Sequence, residues 1–380
     1  MRSLVAVVLL STFGVVMSSA PLPKFRESVI GVNLKGGYQV IAADLNGDGK
    51  PDLIALASGM PELVWYENPG WQRHVIAGGR SQMINVAVCD GPQIVLAEGF
   101  SSEARRSSGV VSVLTPQGDV RQPWSIREID RLPTAHRFRL ADIDGSGKKV
   151  VVNAPLTAAD TGSPDYRGRT PLVYYRPGEW KRVLIGDETE GVMHGIFVTD
   201  WDGDGRDEIL TASFLGIHVY DLASDGKWKC TQLTKGDPAP WPKSGASDVA
   251  VGHLGKRRFL CSIEPWHGNQ VVVYLEEKGA WRRQVLDAAY VEGHTIHTAD
   301  LNGDGRDEIL AGDRGKGGHA VYIYTAEDDA GTKWTRHPLD VGGVAAASCA
   351  VVDLDGDGRP DIACIGSATA NLKIYQNLGR

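Results

Sequence analysis

The chain has few cysteines, no long amphipathic helical pattern and no excess of positive charge. Its five cysteines lie in apolar, strand-like segments, so we expect most of them to be buried core residues, although an exported chain permits one disulfide. The missing helical period leaves strands as the building elements. With 40 Lys and Arg residues against 47 Asp and Glu residues the net charge is −7, which argues against a nucleic-acid partner.

The first twenty residues differ from the rest of the chain. Arg2 precedes an apolar run from Leu4 to Met17, and a Ser-Ser-Ala sequence then ends at Ala20. This order is typical of a secretory signal peptide, and the run is too short to span a bilayer comfortably. We therefore predict cleavage near Ala20, a secreted or periplasmic protein and no membrane span. No cysteine directly follows the predicted cleavage point, which argues against a lipid anchor.

An acidic, glycine-rich loop recurs along the chain at a spacing of about fifty residues. Four copies are complete, a fifth is incomplete, and two further units keep the spacing without the acids. The complete copies open at Asp44, Asp200, Asp300 and Asp353, the incomplete one at Asp142, and the other two units lie at Cys89-Asp90-Gly91 and Gly252–Gly255. Seven repeats made of short strands predict the blades of a β-propeller.

A tryptophan near the end of each unit supports this count. Six units end in a tryptophan followed by a strand, namely at Trp71, Trp124, Trp180, Trp228, Trp281 and Trp334. The seventh such strand is Phe25–Ile30, which precedes the first acidic loop. This N-terminal strand should complete the last blade and close the ring, which removes a free sheet edge. We predict an all-β fold in which residues 21–380 form a single seven-bladed β-propeller.

Each complete loop places oxygen ligands at its first, third, fifth and ninth positions. This spacing can surround a hard cation that takes roughly six to eight oxygen ligands, and Ca²⁺ fits better than Mg²⁺. Solvated acidic turns are the alternative. The predicted ligands are Asp44, Asn46, Asp48, Asp52, Asp200, Asp202, Asp204, Glu208, Asp300, Asn302, Asp304, Glu308, Asp353, Asp355, Asp357 and Asp361. The loops resemble the FG-GAP or VCBS repeats of bacterial secreted proteins and integrin α-chains, and we expect calcium to have a structural role.

Three histidines share one place in the repeat. His136, His194 and His294 each lie six residues before the first aspartate of an acidic loop. The strand before that loop lies nearest the propeller axis, so the three imidazoles should meet at the central channel, on the face opposite the calcium loops. Three neutral imidazoles with an open position suit a catalytic Zn²⁺ or a similar transition metal. Satisfied core histidines are the alternative, and His297 faces either a neighbouring strand or the channel.

One segment, from Cys261 to Val271, resembles the propeller domain of the aldos-2-ulose dehydratases, fungal enzymes also called 1,5-anhydro-fructose dehydratases. Its most specific part is Glu264–Asn269, and similar segments are Ala135–Arg137, His194, Gly245–Ser247 and the unit around Asp300. The resemblance implies elimination of water from a keto-sugar such as 1,5-anhydro-fructose in a metal-containing pocket. The fungal enzymes have further domains implicated in isomerisation, so we expect elimination alone here. They carry a histidine where this chain has Asn85-Val86-Ala87, which leaves the substrate open.

The residues are also chemically suited to that reaction. Removal of a proton next to a carbonyl gives an enolate, which a metal held by the three histidines would stabilise. We predict His267 as the base or acid, Glu264 as the group that orients it or binds the metal, and His297 as a further catalytic candidate. The predicted substrate-binding residues are Arg137, Trp266, Asn269, Arg314 and Glu98.

Two other functions fit the sequence. A calcium-stabilised binding module without catalysis would hold no transition metal at its axial histidines. A propeller polysaccharide lyase would use similar histidines next to a uronic carboxylate, but it calls for a long groove and a basic clamp, and few arginines cluster in the expected site loops. We therefore favour the dehydratase, with a small carbohydrate as its partner.

Overall fold

The computed structural model describes residues 20–89 and 91–380. The predicted signal peptide, apart from Ala20, and Asp90 lie outside these residues. Within them, 28 strands form seven four-stranded antiparallel sheets, and a short 3-10 turn at Ala104–Arg106 is the one helical element. The prediction of an all-β, seven-bladed propeller is confirmed. None of the described segments is a helix with the length and apolar character that a bilayer crossing requires.

Each blade is one sheet. Along the chain the strands are β1 (Phe25–Gly31), β2 (Gly37–Ala43), β3 (Asp52–Ala57), β4 (Leu63–Glu67), β5 (Gln72–Ala77), β6 (Asn85–Cys89), β7 (Gln93–Glu98), β8 (Val110–Thr115), β9 (Ser125–Arg131), β10 (Ala135–Ala141), β11 (Val150–Pro155), β12 (Leu172–Tyr175), β13 (Arg182–Gly186), β14 (Met193–Thr199), β15 (Glu208–Ser213), β16 (Gly216–Leu222), β17 (Trp228–Thr234), β18 (Asp248–Leu254), β19 (Arg257–Glu264), β20 (Gln270–Glu277), β21 (Ala280–Asp287), β22 (Gly293–Ala299), β23 (Glu308–Asp313), β24 (Ala320–Ala326), β25 (Trp334–Val341), β26 (Ala346–Val352), β27 (Asp361–Gly366) and β28 (Leu372–Asn377). Blades 1 to 6 take these strands four at a time from β2 onward, and blade 7 has the order β1-β28-β27-β26.

The seven blades close into a ring. The innermost strands are β2, β6, β10, β14, β18, β22 and β26; each contacts the next, and β26 contacts β2. At the rim of blade 7, β1 pairs with β28 so that Phe25 lies opposite Asn377 and Val29 opposite Lys373. The N-terminal strand therefore completes the last blade, as the repeat count predicts, and both ends of the described chain are held in one sheet.

Burial follows the position of a strand within its blade. The second strands are apolar along their whole length, and all six residues of β3 and of β15 are buried because neighbouring blades cover both faces. Outer strands such as β9 are mostly exposed. The hydrophobic clusters lie between adjacent blades, where residues of one second or third strand pack against those of the next blade.

Cys349 and Cys364 form a disulfide between β26 and β27, where the two residues lie directly opposite each other. Cys89 and Cys261 are buried core residues, as the sequence predicts. The permitted single disulfide is thus present, and it ties an innermost strand to its neighbour within blade 7.

Asparagine side chains fasten adjacent blades to each other. Asn377 is fully buried, and its Nδ2 donates to the carbonyl of Leu301 in the blade 6 loop at 2.9 Å. Asn68 does the same from blade 1, where its Nδ2 donates to the carbonyl of Leu354 in the blade 7 loop at 2.6 Å. Each side chain therefore satisfies a backbone carbonyl that belongs to the preceding blade.

We expect Asn377→Ala to lower the free energy of unfolding by about 1–3 kcal/mol, because it leaves buried backbone carbonyls without their donor. Urea unfolding followed by tryptophan fluorescence measures the change. Gln117→Ala, at an exposed position, is the control and should change stability by less than about 0.5 kcal/mol. Equal effects of the two substitutions would contradict the role of Asn377 in joining the blades.

Candidate active site at the propeller axis

A β-bulge places the predicted histidines. In β10 the pairing with β11 passes from Ala135 to Arg137 and skips His136. The same shift skips His194 in β14 and His294 in β22. A bulged residue has no partner across the ladder, so its side chain can leave the alternation of the strand and turn towards the axis. The six-residue spacing between each histidine and its acidic loop thus corresponds to a β-bulge at the start of the inner strand.

The three imidazoles meet at the axis. The ring centroids of His136 and His194 lie 5.0 Å apart, as do those of His194 and His294. Each of the three residues is only 1% exposed. The acidic loops follow the other end of the same strands. The structure therefore brings the predicted histidines together and places them away from the acidic loops.

His267 joins this group from the loop between β19 and β20. Its ring centroid lies 4.8 Å from that of His194 and 5.1 Å from that of His294, and its Nε2 lies 3.2 Å from Nε2 of His194. The ligand atoms of His194, His267 and His294 all lie within 4.8 Å of one another. The tightest set of donors thus contains His267, for which the sequence predicts a catalytic role, whereas Nε2 of His136 is bonded to the Tyr38 hydroxyl at 2.7 Å.

Backbone carbonyls fix the tautomers of two of these histidines. Nδ1 of His194 donates to the carbonyl of Ser247 at 3.0 Å, and Nδ1 of His294 donates to the carbonyl of Ala347 at 2.5 Å. A carbonyl only accepts, so each neutral ring carries its proton on Nδ1 and presents the lone pair of Nε2. Nε2 of His294 is buried and has no hydrogen-bond partner among the described residues. Such an orienting bond on the far nitrogen is the usual support of a metal-binding histidine.

Two arginines give the site its charge. Nε of Arg137 donates to the carbonyl of His194 at 3.0 Å, and Nη2 of Arg314 lies 3.5 Å from Nε2 of His267. Arg137 is 5% exposed, and its buried Nη2 has no hydrogen-bond partner within the part of the chain that the structure describes. Burial first, and then these guanidinium groups, hold the pKa of His194 and His294 well below the ordinary value and that of His267 at about 3. The imidazoles are therefore neutral near pH 7.

Glu264 does not join the cluster. It is fully buried, and its carboxylate accepts hydrogen bonds from the Tyr274 hydroxyl at 2.6 Å and from Nε of Arg283 at 2.8 Å, both within blade 5. The structure thus differs from the expectation that Glu264 orients His267 or binds the metal, because the strand end directs the carboxylate into the blade. Its visible role is to anchor the end of β19, from which the His267 loop departs.

Three other predicted residues also have structural contacts. Asn269 donates from Nδ2 to the carbonyl of Ala288 at 3.0 Å. Glu98 forms an ion pair with Arg80 at 2.8 Å. Trp266 packs in a small apolar cluster with Phe214 and lies beside His267, with ring centroids 4.8 Å apart. Of the five predicted substrate-binding residues, the structure therefore brings Arg137, Arg314 and Trp266 to the histidines.

A cavity of about 960 Å³ continues along the axis below the cluster. His294 and Arg137 line one end, Asp44 of the first acidic loop lines the other, and His297 faces its interior. Burial first, and then the charge of Arg139, lowers the pKa of His297 to about 4. His297 thus faces the channel, one of the two positions left open by the sequence, and lies outside the tight set of donors.

The acidic loops share one pattern of hydrogen bonds. In the first, the carboxylate of Asp44 accepts from the amides of Gly47, Asp48 and Gly49, and that of Asp52 accepts from the amide of Leu45 at 3.0 Å. The loops that open at Asp200 and Asp353 repeat this pattern. The first acid thus shapes the loop, and the ninth joins it to the next strand.

Oxygen ligands converge in two of the loops. Asp200, Asp202 and Glu208 form one group, and Asp353, Asp355 and Asp357 form the other. Side chains at the seventh position also pair with the acid at the fifth, as Arg306 does with Asp304 at 3.1 Å. Three of the predicted ligands therefore lie close together in each of these two loops, and a cation that binds the fifth-position acid would have to displace such an arginine.

Tyr38 is a site residue that the sequence interpretation missed. It lies six residues before Asp44, the same spacing as the three histidines, and the pairing of β2 with β3 skips it in the same way. The six-residue spacing before an acidic loop identifies Tyr38 when residues other than histidine are considered at that position. Phe100, whose ring centroid lies 5.3 Å from that of His136, has no comparable signal because it comes from a long loop.

Fold and site together define a seven-bladed propeller that is built on acidic-loop repeats and has an imidazole cluster at its axis. The family model for the β-propeller domain of aldos-2-ulose dehydratase matches residues 108–277, and models for FG-GAP-like and FG-GAP repeats match residues 300–364 and 36–60. The aldos-2-ulose dehydratase of Phanerodontia chrysosporium is 28% identical over 297 residues, which cover 68% of this chain and 32% of that protein. The chain thus spans about a third of the length of this relative. Both predicted resemblances are confirmed.

The calcium binding that the sequence predicts for the acidic loops would stabilise the fold more at pH 8 than at pH 5. Burial, with nearby acids, raises the pKa of Glu308 to about 8 and that of Glu208 to about 7, so their charged forms cost stability as the pH rises above the ordinary value of 4.5. Calcium binds the charged form, and each site at a hundredfold excess over its Kd adds about 2.7 kcal/mol. Thermal unfolding with calcium and with chelator at both pH values measures the effect. Equal shifts at pH 5 and pH 8, or none, would contradict calcium binding by these acids.

The metal-free protein should lose stability as the pH falls below about 6.5, the ordinary value for histidine. In this window unfolded histidines take up protons while the buried cluster stays neutral, so stability declines by up to about 1.4 kcal/mol per pH unit for each histidine. Urea unfolding in chelator from pH 7.5 to pH 5 measures the slope. The double variant His194→Asn, His294→Asn should show a shallower slope, and an unchanged slope would contradict the neutral state of these rings.

Proposed function

We propose that the chain is a metal-dependent carbohydrate lyase that eliminates water from a keto-sugar such as 1,5-anhydro-fructose. The observation that carries the proposal is the convergence of neutral imidazoles with buried Nε2 atoms, beside two arginines, at the axis of a propeller similar to that of a dehydratase. The name of the relative is that of a dehydratase, so elimination of water is the activity to test.

The donor set fits a transition metal. His194, His267 and His294 supply three nitrogen ligands, and the carbonyls of Ser247 and Ala347 hold two of the rings in the tautomer that binds metal. The short separation of Nε2 atoms in His194 and His267 supports the same reading, since such a pair shares either a proton or a cation. Zinc suits three imidazoles with an open position. A bound Zn²⁺ would act as a Lewis acid towards the carbonyl of the substrate.

The chain itself supplies charge and exclusion of water. Arg137 and Arg314 place two guanidinium groups beside the imidazoles, where they would stabilise the enolate oxygen. Phe100 and Trp266 cover the histidines from two loops. Because these residues exclude water, each charge interaction inside the pocket is stronger than it would be in solvent.

Export and calcium binding are part of the proposal. The order of features in residues 1–20 is that of a signal peptide, and the disulfide between Cys349 and Cys364 suits an oxidising compartment. The matches to FG-GAP repeats and the grouped carboxylates support structural Ca²⁺ in the acidic loops. We infer a secreted or periplasmic protein that holds calcium on one face and a transition metal on the other.

A polysaccharide lyase is the second candidate. Arg137 and Arg314 both lie at the cluster, and this pair forms the basic clamp that a uronic carboxylate requires. The long groove that such an enzyme needs has no counterpart among the site residues described above. The keto-sugar reaction therefore stands first, and uronate oligosaccharides belong in the same assay.

We expect the purified protein to retain about one transition-metal ion per chain after dialysis against calcium-containing buffer, and His194→Ala, His294→Ala to lose it, because these rings supply two of the three donors. Metal analysis and absorbance of the conjugated ketone formed from 1,5-anhydro-fructose are the two measurements. Elimination in the double variant should fall at least about a hundredfold.

His253→Ala, at an exposed position near the end of β18 in blade 5, is the matched control and should keep both metal and activity. A wild-type protein that holds only calcium would contradict the metalloenzyme and favour a calcium-stabilised binding module. A wild-type protein that holds the metal but acts on uronate oligosaccharides alone would favour the polysaccharide lyase.

A further inference from the structure

Tyr38 occupies in blade 1 the position that histidines occupy in blades 3, 4 and 6. Each of these residues is skipped by the pairing between the first two strands of its blade, and each lies six residues before the loop aspartate. Blade 7 places Ala347 at the same bulge. The ring therefore projects four functional side chains into one space, and the one from blade 1 is a phenol.

The contacts of Tyr38 tie it to the cluster. Its hydroxyl and Nε2 of His136 lie 2.7 Å apart, and its ring meets those of His136 and His294 edge to face, with centroids 6.1 Å and 5.3 Å apart. Tyr38 is partly exposed, whereas His136 is only 1% exposed. In the hydrogen-bonded pair of Tyr38 and His136, a substrate can therefore reach Tyr38, whereas His136 is shielded from solvent.

Two positive charges flank the phenol. The guanidinium carbon of Arg137 lies 5.6 Å from the centroid of the Tyr38 ring, and that of Arg314 lies 6.0 Å from it. Negative charge that develops on the Tyr38 oxygen is therefore stabilised from two directions. Nε2 of His136 lies 2.7 Å from the Tyr38 hydroxyl and is therefore the ring nitrogen placed to exchange a proton with the phenol.

The imidazoles of His194 and His294 are not placed to exchange a proton with Tyr38. Nδ1 of His194 and Nδ1 of His294 are engaged by backbone carbonyls, and their Nε2 atoms converge with that of His267. His136 differs, because its Nε2 is bonded to a side chain that can itself gain and lose a proton. The cluster therefore divides into a set of three donors and a phenol–imidazole pair.

We propose that Tyr38 is the catalytic acid and base of the elimination and that His136 stores its proton; the inference rests on the proposed lyase function. The Tyr38 oxygen takes the proton from the carbon next to the carbonyl as the phenol proton passes to Nε2 of His136. The C–H electron pair forms the enolate, and its collapse forms the carbon–carbon double bond as the bond to the neighbouring hydroxyl breaks. Tyr38 then gives its proton to the departing hydroxide, which leaves as water, and His136 returns the stored proton to Tyr38.

Tyr38→Phe tests the proposal because it removes the hydroxyl and keeps the ring. We expect kcat for elimination to fall by about 100-fold or more, while KM, bound metal and melting temperature stay near those of the wild type. Exchange of the hydrogen next to the carbonyl with deuterium from solvent, followed by NMR, should slow by a similar factor. A purely structural role would not produce this combination.

Tyr174→Phe, on strand β12 away from the axis, is the matched control and should keep full activity. His136→Gln is a second variant, which should lower kcat and slow the deuterium exchange even if Tyr38→Phe proves unstable. A folded Tyr38→Phe protein with the kcat of the wild type would overturn the catalytic role of Tyr38, while the proposed lyase function would still stand. Absence of elimination by the wild-type protein on every keto-sugar and uronate tested would overturn the lyase and this inference together.

Discussion

The site depends on one backbone irregularity that is repeated around the ring. At the start of five inner strands the pairing skips a single residue, and in four of them that residue is Tyr38, His136, His194 or His294. Without the bulge, these side chains would follow the regular alternation of a strand, in which successive residues point to opposite faces of the sheet and so towards the neighbouring blades. The propeller brings the inner strands around a common axis, and the bulges let the side chains at their starts meet there. The repeated position thus contributes one side chain from each of these four blades.

The sequence predicted the parts of this arrangement that are periodic. Seven units, the closing strand Phe25–Ile30 and the axial histidines all follow from spacings along the chain, because each spacing maps onto the same place in every blade. The fold class and both family resemblances are confirmed. Tyr38 obeys the same spacing and was missed only because the pattern was sought in histidines. What repeats in the structure is a position, and the residue type at that position varies with its task.

The parts that do not repeat were beyond the sequence. His267 and Glu264 lie three residues apart in one segment, yet the histidine reaches the axis and the carboxylate turns into blade 5 towards Tyr274 and Arg283. The path of a single loop decides this difference, and composition does not encode it. The disulfide is similar, since the pairing of Cys349 with Cys364 depends on which strands are neighbours and on their register. His297 shows the same limit, because the sequence left two positions open for it and the structure places it in the channel.

Ring closure has a consequence for how the site comes into being. Tyr38 and His294 touch, with ring centroids 5.3 Å apart, although blade 7 lies between the blades that carry them. Blade 7 is complete only when β1 pairs with β28, so residues from near the two ends of the chain must find each other first. Contacts between such distant residues are the slowest and the most costly in chain entropy. The nitrogens of His194, His267 and His294 can meet within blades 4 to 6, and Tyr38 can meet His136 within blades 1 to 3, whereas the contact between Tyr38 and His294 waits for ring closure. The two halves of the axial site therefore assemble separately and join last.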